Sequence, residues 1–133
     1  MGKGYRQGRL GEEIRRIISD MIFRELKDPR LKDSMVSVTA VDVTSDGSYA
    51  TVYLSIFRQA ADENEMDEIK EGVLEAMRSA KGFIKKEIGR QIRIKHMPEL
   101  IFKIDTSLDY GRRMDELITK VMSEQEEKHE DEE

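Results

Sequence analysis

Residues 78–95, "RSAKGFIKKEIGRQIRIK", hold seven cations (Arg78, Lys81, Lys85, Lys86, Arg90, Arg93 and Lys95) against a single anion, Glu87. On a helix, residues three and four apart are surface neighbours. That spacing sets Arg78, Lys81 and Lys85 on one line and Lys86, Arg90 and Arg93 on a neighbouring one. The apolar positions Ala80, Phe83, Ile84 and Ile88 form a third line, predicted to face a core and leave both cationic rows in solvent. A one-signed row of ammonium and guanidinium groups on a rigid element is suited to nucleic-acid phosphates, whose counterions it displaces. A helix face that is merely solvated interleaves both signs, as Asp67, Glu68, Lys70, Glu71 and Glu75 nearly do just upstream. The sign changes abruptly at Arg78.

Gly82 interrupts this helical pattern, where a glycine costs roughly 1 kcal/mol relative to alanine. With Ala80 it predicts a break of one long helix into two. Two uses of such a break stay open. It can present the second helix's N-terminus, with its amide groups and positive dipole end, to a phosphate. It can also serve only to wrap two helices over a sheet.

Other chemistry is scarce. The chain has no cysteine, which excludes disulfides and thiolate catalysis or ligation. Its two histidines are His96, in the region between the basic helix and a strand, and His129, inside an acidic run. A Ser-His-Asp or two-histidine metal arrangement would have to recruit His129. No G-x-x-x-x-G-K-[ST] loop occurs, nor a G-x-G-x-x-G after a strand. Asp42 and Asp46 fit strand-end and turn duty better than metal ligation. The expectation is a protein that is not an enzyme and carries no cofactor or metal.

The 133 residues fit one domain with one modest core. The net charge of −5 needs dividing, because residues 124–133, "EQEEKHEDEE", hold seven acids and one base, a net of −6. The remainder, at +1, need not repel a polyanion. Residues 123–133 are expected to be a solvated, disordered tail. No run of about 18 apolar residues is present, and the N-terminus lacks the apolar centre of a secretory signal. A cytoplasmic address is expected.

The elements that must position the cations are legible. Leu10, Ile14, Ile17, Ile18, Met21, Ile22 and Leu26 make a helical stripe over residues 9–27, ended by Asp28-Pro29. "MVSVTAVDV" (35–43) and "YATVYLSIF" (49–57) read as strands joined by a "TSDGS" hairpin turn. Met66, Ile69, Val73 and Met77 open the long helical pattern that the break at Ala80 and Gly82 divides. After Pro98, "ELIFKID" (99–105) is a third strand, and Ser107 caps a last helix through Met122. Residues 1–8 are expected to be a flexible basic arm and residues 9–122 the folded domain. Helices on one face of a three-stranded sheet would bury every stripe. The other face, with Tyr49, Thr51, Tyr53, Ser55 and Phe57, or the acidic tail, could instead make the chain a protein-interaction module. No long apolar stripe is left over, so a monomer is expected.

Three segments carry a resemblance: "LKDPRL" (26–31), "SAKGFIKKEIGRQIRIKHMPELIFKID" (79–105) and "DTSLDYGRRMDELI" (105–118). In that order, across about residues 5–121, the chain closely resembles the ribosome-binding factor A family. The resemblance implies an α+β, type II KH-like fold, α-β-β-α-kink-α-β, in which Ala80-Lys81-Gly82 stands where other KH domains keep a G-x-x-G loop. It implies binding to the free or immature 30S small subunit through 16S rRNA, near the neck and decoding region. Help in processing and folding the RNA's ends, importance in the cold, and release by a ribosome-dependent GTPase come with it. Lys81, Lys85, Lys86, Arg90 and Arg93 match the family's basic surface, and Lys3, Arg6 and Arg9 its basic N-terminal segment. Arg78, Gly82 and Lys95 complete the expected RNA-binding set.

Overall fold

The computed structural model describes residues 2–106, with side chains from residue 8 onward. The last helix and the acidic tail expected from the sequence lie outside the described residues.

Helix α1 (Gly2–Arg24) begins seven residues before the first expected helical position, taking in the backbone of most of the expected arm. Its stripe of Ile14, Ile17, Ile18, Met21 and Ile22 is buried. Asp28-Pro29 does more than end that helix. The Asp28 carboxylate accepts from the Arg30 amide at 3.0 Å, and Pro29 occupies a position where no amide is needed. An N-cap acid followed by proline is a helix start, and a short α2 (Pro29–Asp33) results, which the sequence reading did not anticipate.

Strands β1 (Ser37–Val43) and β2 (Tyr49–Ser55) form the expected hairpin. Gly47, at φ +74°, takes the left-handed conformation, and Asp46 accepts from the Thr44 hydroxyl and the Ser48 amide. Asp46 thus has turn duty, as its sequence context indicates. Helix α3 (Glu63–Ser79) starts at Asp62, whose carboxylate accepts from the Glu65 amide at 2.8 Å. Then come α4 (Lys81–Gln91) and β3 (Glu99–Ile104). Phe57 falls beyond β2 and is exposed rather than part of a strand face.

The sheet order is β1-β2-β3, with β1 antiparallel and β3 parallel to β2. A parallel neighbour requires a long crossover, and the α3–α4 pair supplies it. Apart from the short α2, this is the α+β, type II KH-like order. Ala50, Val52 and Leu54 of β2, Leu100 and Phe102 of β3, and Val73, Met77, Ile84 and Ile88 of the crossover helices are all buried together. The crossover helices therefore have one face committed to the core and one left over.

Gly11 shows how closely α1 lies on the sheet. A Cβ at that position would stand 2.3 Å from the Val41 carbonyl oxygen, so only glycine fits.

Candidate nucleic-acid interface

The helix break is where the sequence places it, but its pivot differs. Ala80 alone separates α3 from α4, at φ −88° and ψ −1°, and its amide is held by carbonyls of the last turn of α3. Its own carbonyl accepts from the Ile84 amide at 2.9 Å. The backbone thus turns within the right-handed region, which any residue can adopt. Gly82 lies inside the first turn of α4, with no positive φ and open space where a Cβ would be. It is not the hinge. Among the described residues no side chain caps α4, and no acid occupies its first turn.

The cations do not all stand free, contrary to the sequence reading that counted Glu87 as their only neutralising neighbour. Glu99, the first residue of β3, accepts from Lys81 Nζ at 3.0 Å and from Lys85 Nζ at 2.6 Å. These two bonds, Lys85 foremost, hold the Glu99 carboxyl below the usual carboxylate range. Arg78 reaches Glu71 at 3.4 Å across two turns of α3. Arg90 Nε donates to Glu87 at 3.1 Å, and the Gln91 amide donates to the same carboxylate at 2.7 Å. The Arg90 guanidinium, then Gln91, draw the Glu87 carboxyl down to about 2. Glu99 escaped notice because 14 residues or more separate it from its lysines, and only the parallel strand brings it back.

Seven cations less three acids leave four positive charges on this surface. Lys86, Arg93 and Lys95 have no ion-pair partner among the described residues, and all three are exposed. Arg93 does not continue the helical row: Ile92 is extended (φ −121°, ψ 134°), so Arg93 and Lys95 belong to the link between α4 and β3. His96 is exposed in the same link. Through that turn Arg93 comes to share a crevice of about 390 Å³ with Glu13 and Arg16 of α1, floored by Ile17 and Ile92. Arg16 is a residue that sequence reading passed over. Its signal was its place two helical turns after Arg9, an exposed cation on the same helix.

Phe83 also departs from expectation. Assigned to the inward stripe, it is 52% exposed, while Ile84 and Ile88 take the core positions. The stripe is narrower than the apolar letters imply, because adjacent residues on a helix point about 100° apart and Ile84, four residues before Ile88, takes the core side. Arg9 is exposed on α1, whereas the side chains of Lys3 and Arg6 lie outside the described residues. Among the described residues no cluster of three or more acids and histidines could hold a metal ion. No helix among them is long and apolar enough to cross a membrane.

Comparison with known proteins points one way. A family profile described as ribosome-binding factor A matches residues 6–118. Ribosome-binding factor A of Clostridium beijerinckii is 49% identical over 117 residues, covering 88% of this chain and 93% of that protein. The crystal structure of ribosome-binding factor A from Thermus thermophilus superposes with a TM-score of 0.60 at 28% identity, covering 74% of this chain and 94% of that one. A second Thermus thermophilus structure, a homology model of ribosome-binding factor A fitted into an electron cryomicroscopy map of its 30S complex, gives a TM-score of 0.57 at 27% identity, covering 75% and 96% of the two chains.

Proposed function

The chain belongs to the ribosome-binding factor A family, and from that membership we propose that it binds the 30S ribosomal subunit through 16S rRNA as a non-catalytic assembly factor. The observation that carries the reading is the set of exposed cations without an ion-pair partner among the described residues, Lys86 on α4 and Arg93 and Lys95 in the link that follows it. Lys86 lies on α4 and the other two follow its C-terminal end, where Ile92 turns the chain into the link to β3. Phosphates of folded RNA are the ligand chemistry this surface fits, because each contact releases condensed counterions. The relative fitted into a 30S map supports the same partner.

Lys81 and Lys85 contribute after exchange with Glu99, and Arg90 after exchange with Glu87. Arg9 and Arg16 extend the surface along α1, and the family resemblance adds Lys3 and Arg6 to the RNA-binding set. In this reading the chain acts in the cytoplasm as a monomer on free or immature subunits. It favours folding and end processing of the RNA, most where cold stabilises misfolded RNA, and a ribosome-dependent GTPase releases it. Residues 9–122 form the binding domain.

Sucrose-gradient co-sedimentation with free small subunits and with whole ribosomes, at low and high salt, tests the proposal. Preferential binding to free subunits, lost steeply with salt, is expected. Equal binding to both particles would refute a maturation role, and binding indifferent to salt would refute the phosphate surface.

A further inference from the structure

Gly82 poses a problem that the fold leaves unsolved. Glycine disfavours a helix relative to alanine, yet Gly82 needs no left-handed backbone and meets no atom of the described residues that a Cβ would strike. Neither conformation nor packing among the described residues accounts for it. What a bare Cα then provides is close approach from outside. Its neighbour Phe83 poses the complementary problem, an aromatic ring half in water on a helix whose core positions are already filled by Ile84 and Ile88.

The two residues are adjacent, exposed, and set among cations. Lys86 is three residues beyond Phe83 and four beyond Gly82, the spacing of surface neighbours, and it is unpaired among the described residues. Lys85 is three beyond Gly82. An exposed ring beside a phosphate-binding cation is the pairing by which proteins hold unstacked nucleotides, the ring under the base and the cation on the backbone.

We propose that Gly82 and Phe83 form a stacking platform for one unpaired base of the small-subunit RNA, with Lys86 on the adjoining phosphate. The inference rests on the RNA-binding reading above and adds to it a contact that is not ionic. A base lying on the Phe83 ring extends over Gly82, where any side chain would lift it away. Stacking of this kind is tolerant of base identity, so the platform recognises that a base is splayed out rather than which base it is.

The test uses the full chain with free small subunits and with protein-free small-subunit RNA, and measures affinity across a salt series. Phe83→Leu, which keeps an apolar side chain but removes the ring, is expected to weaken binding to both by roughly 5- to 100-fold. The slope of log affinity against log salt should stay unchanged. Phe83→Trp should retain affinity. Gly82→Ala should raise the melting temperature yet weaken binding, a combination that a purely structural glycine would not give. Lys86→Gln should instead lower the salt slope by about 0.7 to 0.9. If Lys86→Gln lowers the slope while Phe83→Leu binds like the wild type, the platform is wrong and the RNA surface stands. If neither variant changes binding, both readings fall. Should Phe83→Leu weaken binding to subunits but not to protein-free RNA, the ring contacts a ribosomal protein and the platform is again overturned.

Discussion

Replacing Gly11 with alanine should destabilise the protein even though alanine is the better helix former. Two opposing terms decide the sign. Helix propensity alone favours the substitution by about 1 kcal/mol. Against it, the new Cβ would stand 2.3 Å from the Val41 carbonyl oxygen and 3.3 Å from its carbon. A carbon–oxygen contact is ordinarily no closer than about 3.3 Å, so α1 and β1 must part by about 1 Å. The obstacle is backbone, so no rotamer change can relieve it. A gap of that size forfeits up to about half of each dispersion contact across the interface, where Ile14, Ile18, Val38 and Val43 are buried. Overpacking of this kind costs about 1–3 kcal/mol, and with the upper end applying to a backbone clash the net loss is about 2 kcal/mol. At about 4 °C per kcal/mol for a domain of this size, the melting temperature should fall by about 8 °C. Gly82→Ala is the internal control. It carries the same propensity gain with nothing in its way, and should raise stability by about 0.5–1 kcal/mol. Thermal and urea unfolding followed by circular dichroism compare the two. A Gly11→Ala protein as stable as the wild type would refute the close approach of α1 to β1.

Three further outcomes are expected. Glu99→Gln frees Lys81 and Lys85 from their shared carboxylate, so affinity for small subunits should rise and the salt dependence steepen; unchanged binding would show that these lysines do not face RNA. The Glu87 carboxyl lies at about 2 rather than its ordinary 4.5. A depressed carboxylate adds stability that is present above the ordinary value and is lost as pH falls toward the folded one. A carbon-13 titration of Glu87 at low salt should therefore give a midpoint near 2, moving upward in Arg90→Ala; a midpoint that stays put would remove Arg90 as the cause. Arg16→Gln and Arg93→Gln should each lower the salt slope of subunit binding by about 0.7 to 0.9, and a slope unaffected by Arg16→Gln would confine the surface to the crossover.

Local signals made most of the fold legible. The alternation of Ala50, Val52 and Leu54 along β2, the turn around Gly47 and the stripe from Ile14 to Ile22 each depend on residues a few positions apart. The sequence also marked where the long helix breaks. It misassigned the cause, because glycine is the stronger breaker by letter, while the actual turn at Ala80 stays in a conformation open to any residue. The short α2 was hidden behind the same Asp-Pro that ends α1, since one dipeptide can both stop a helix and start the next. What could not be read was tertiary. Glu99 meets Lys81 and Lys85 only because β3 runs parallel to β2 beneath the crossover. The Val41 carbonyl over Gly11 and the approach of Arg16 to Arg93 have the same origin.

The pairing pattern ranks the cations of the crossover by what they can do for binding. A phosphate approaching Lys81 or Lys85 must displace the Glu99 carboxylate, exchanging one ion pair for another. Such exchange returns little in a solvent-exposed setting, where an ion pair is worth little to begin with. Lys86, Arg93 and Lys95 have no pair among the described residues to give up, so each phosphate they meet adds the full counterion release. Charge number alone would weigh all seven cations equally. The structure instead predicts that Lys86→Gln weakens subunit binding more than Lys81→Gln, despite removal of the same charge. Glu99→Gln should erase that difference by leaving Lys81 as free as Lys86. Measuring the two lysine variants with and without Glu99→Gln makes a double-mutant cycle. A Lys81→Gln effect that is equally large in both backgrounds would show that the Glu99 bridge does not compete with RNA.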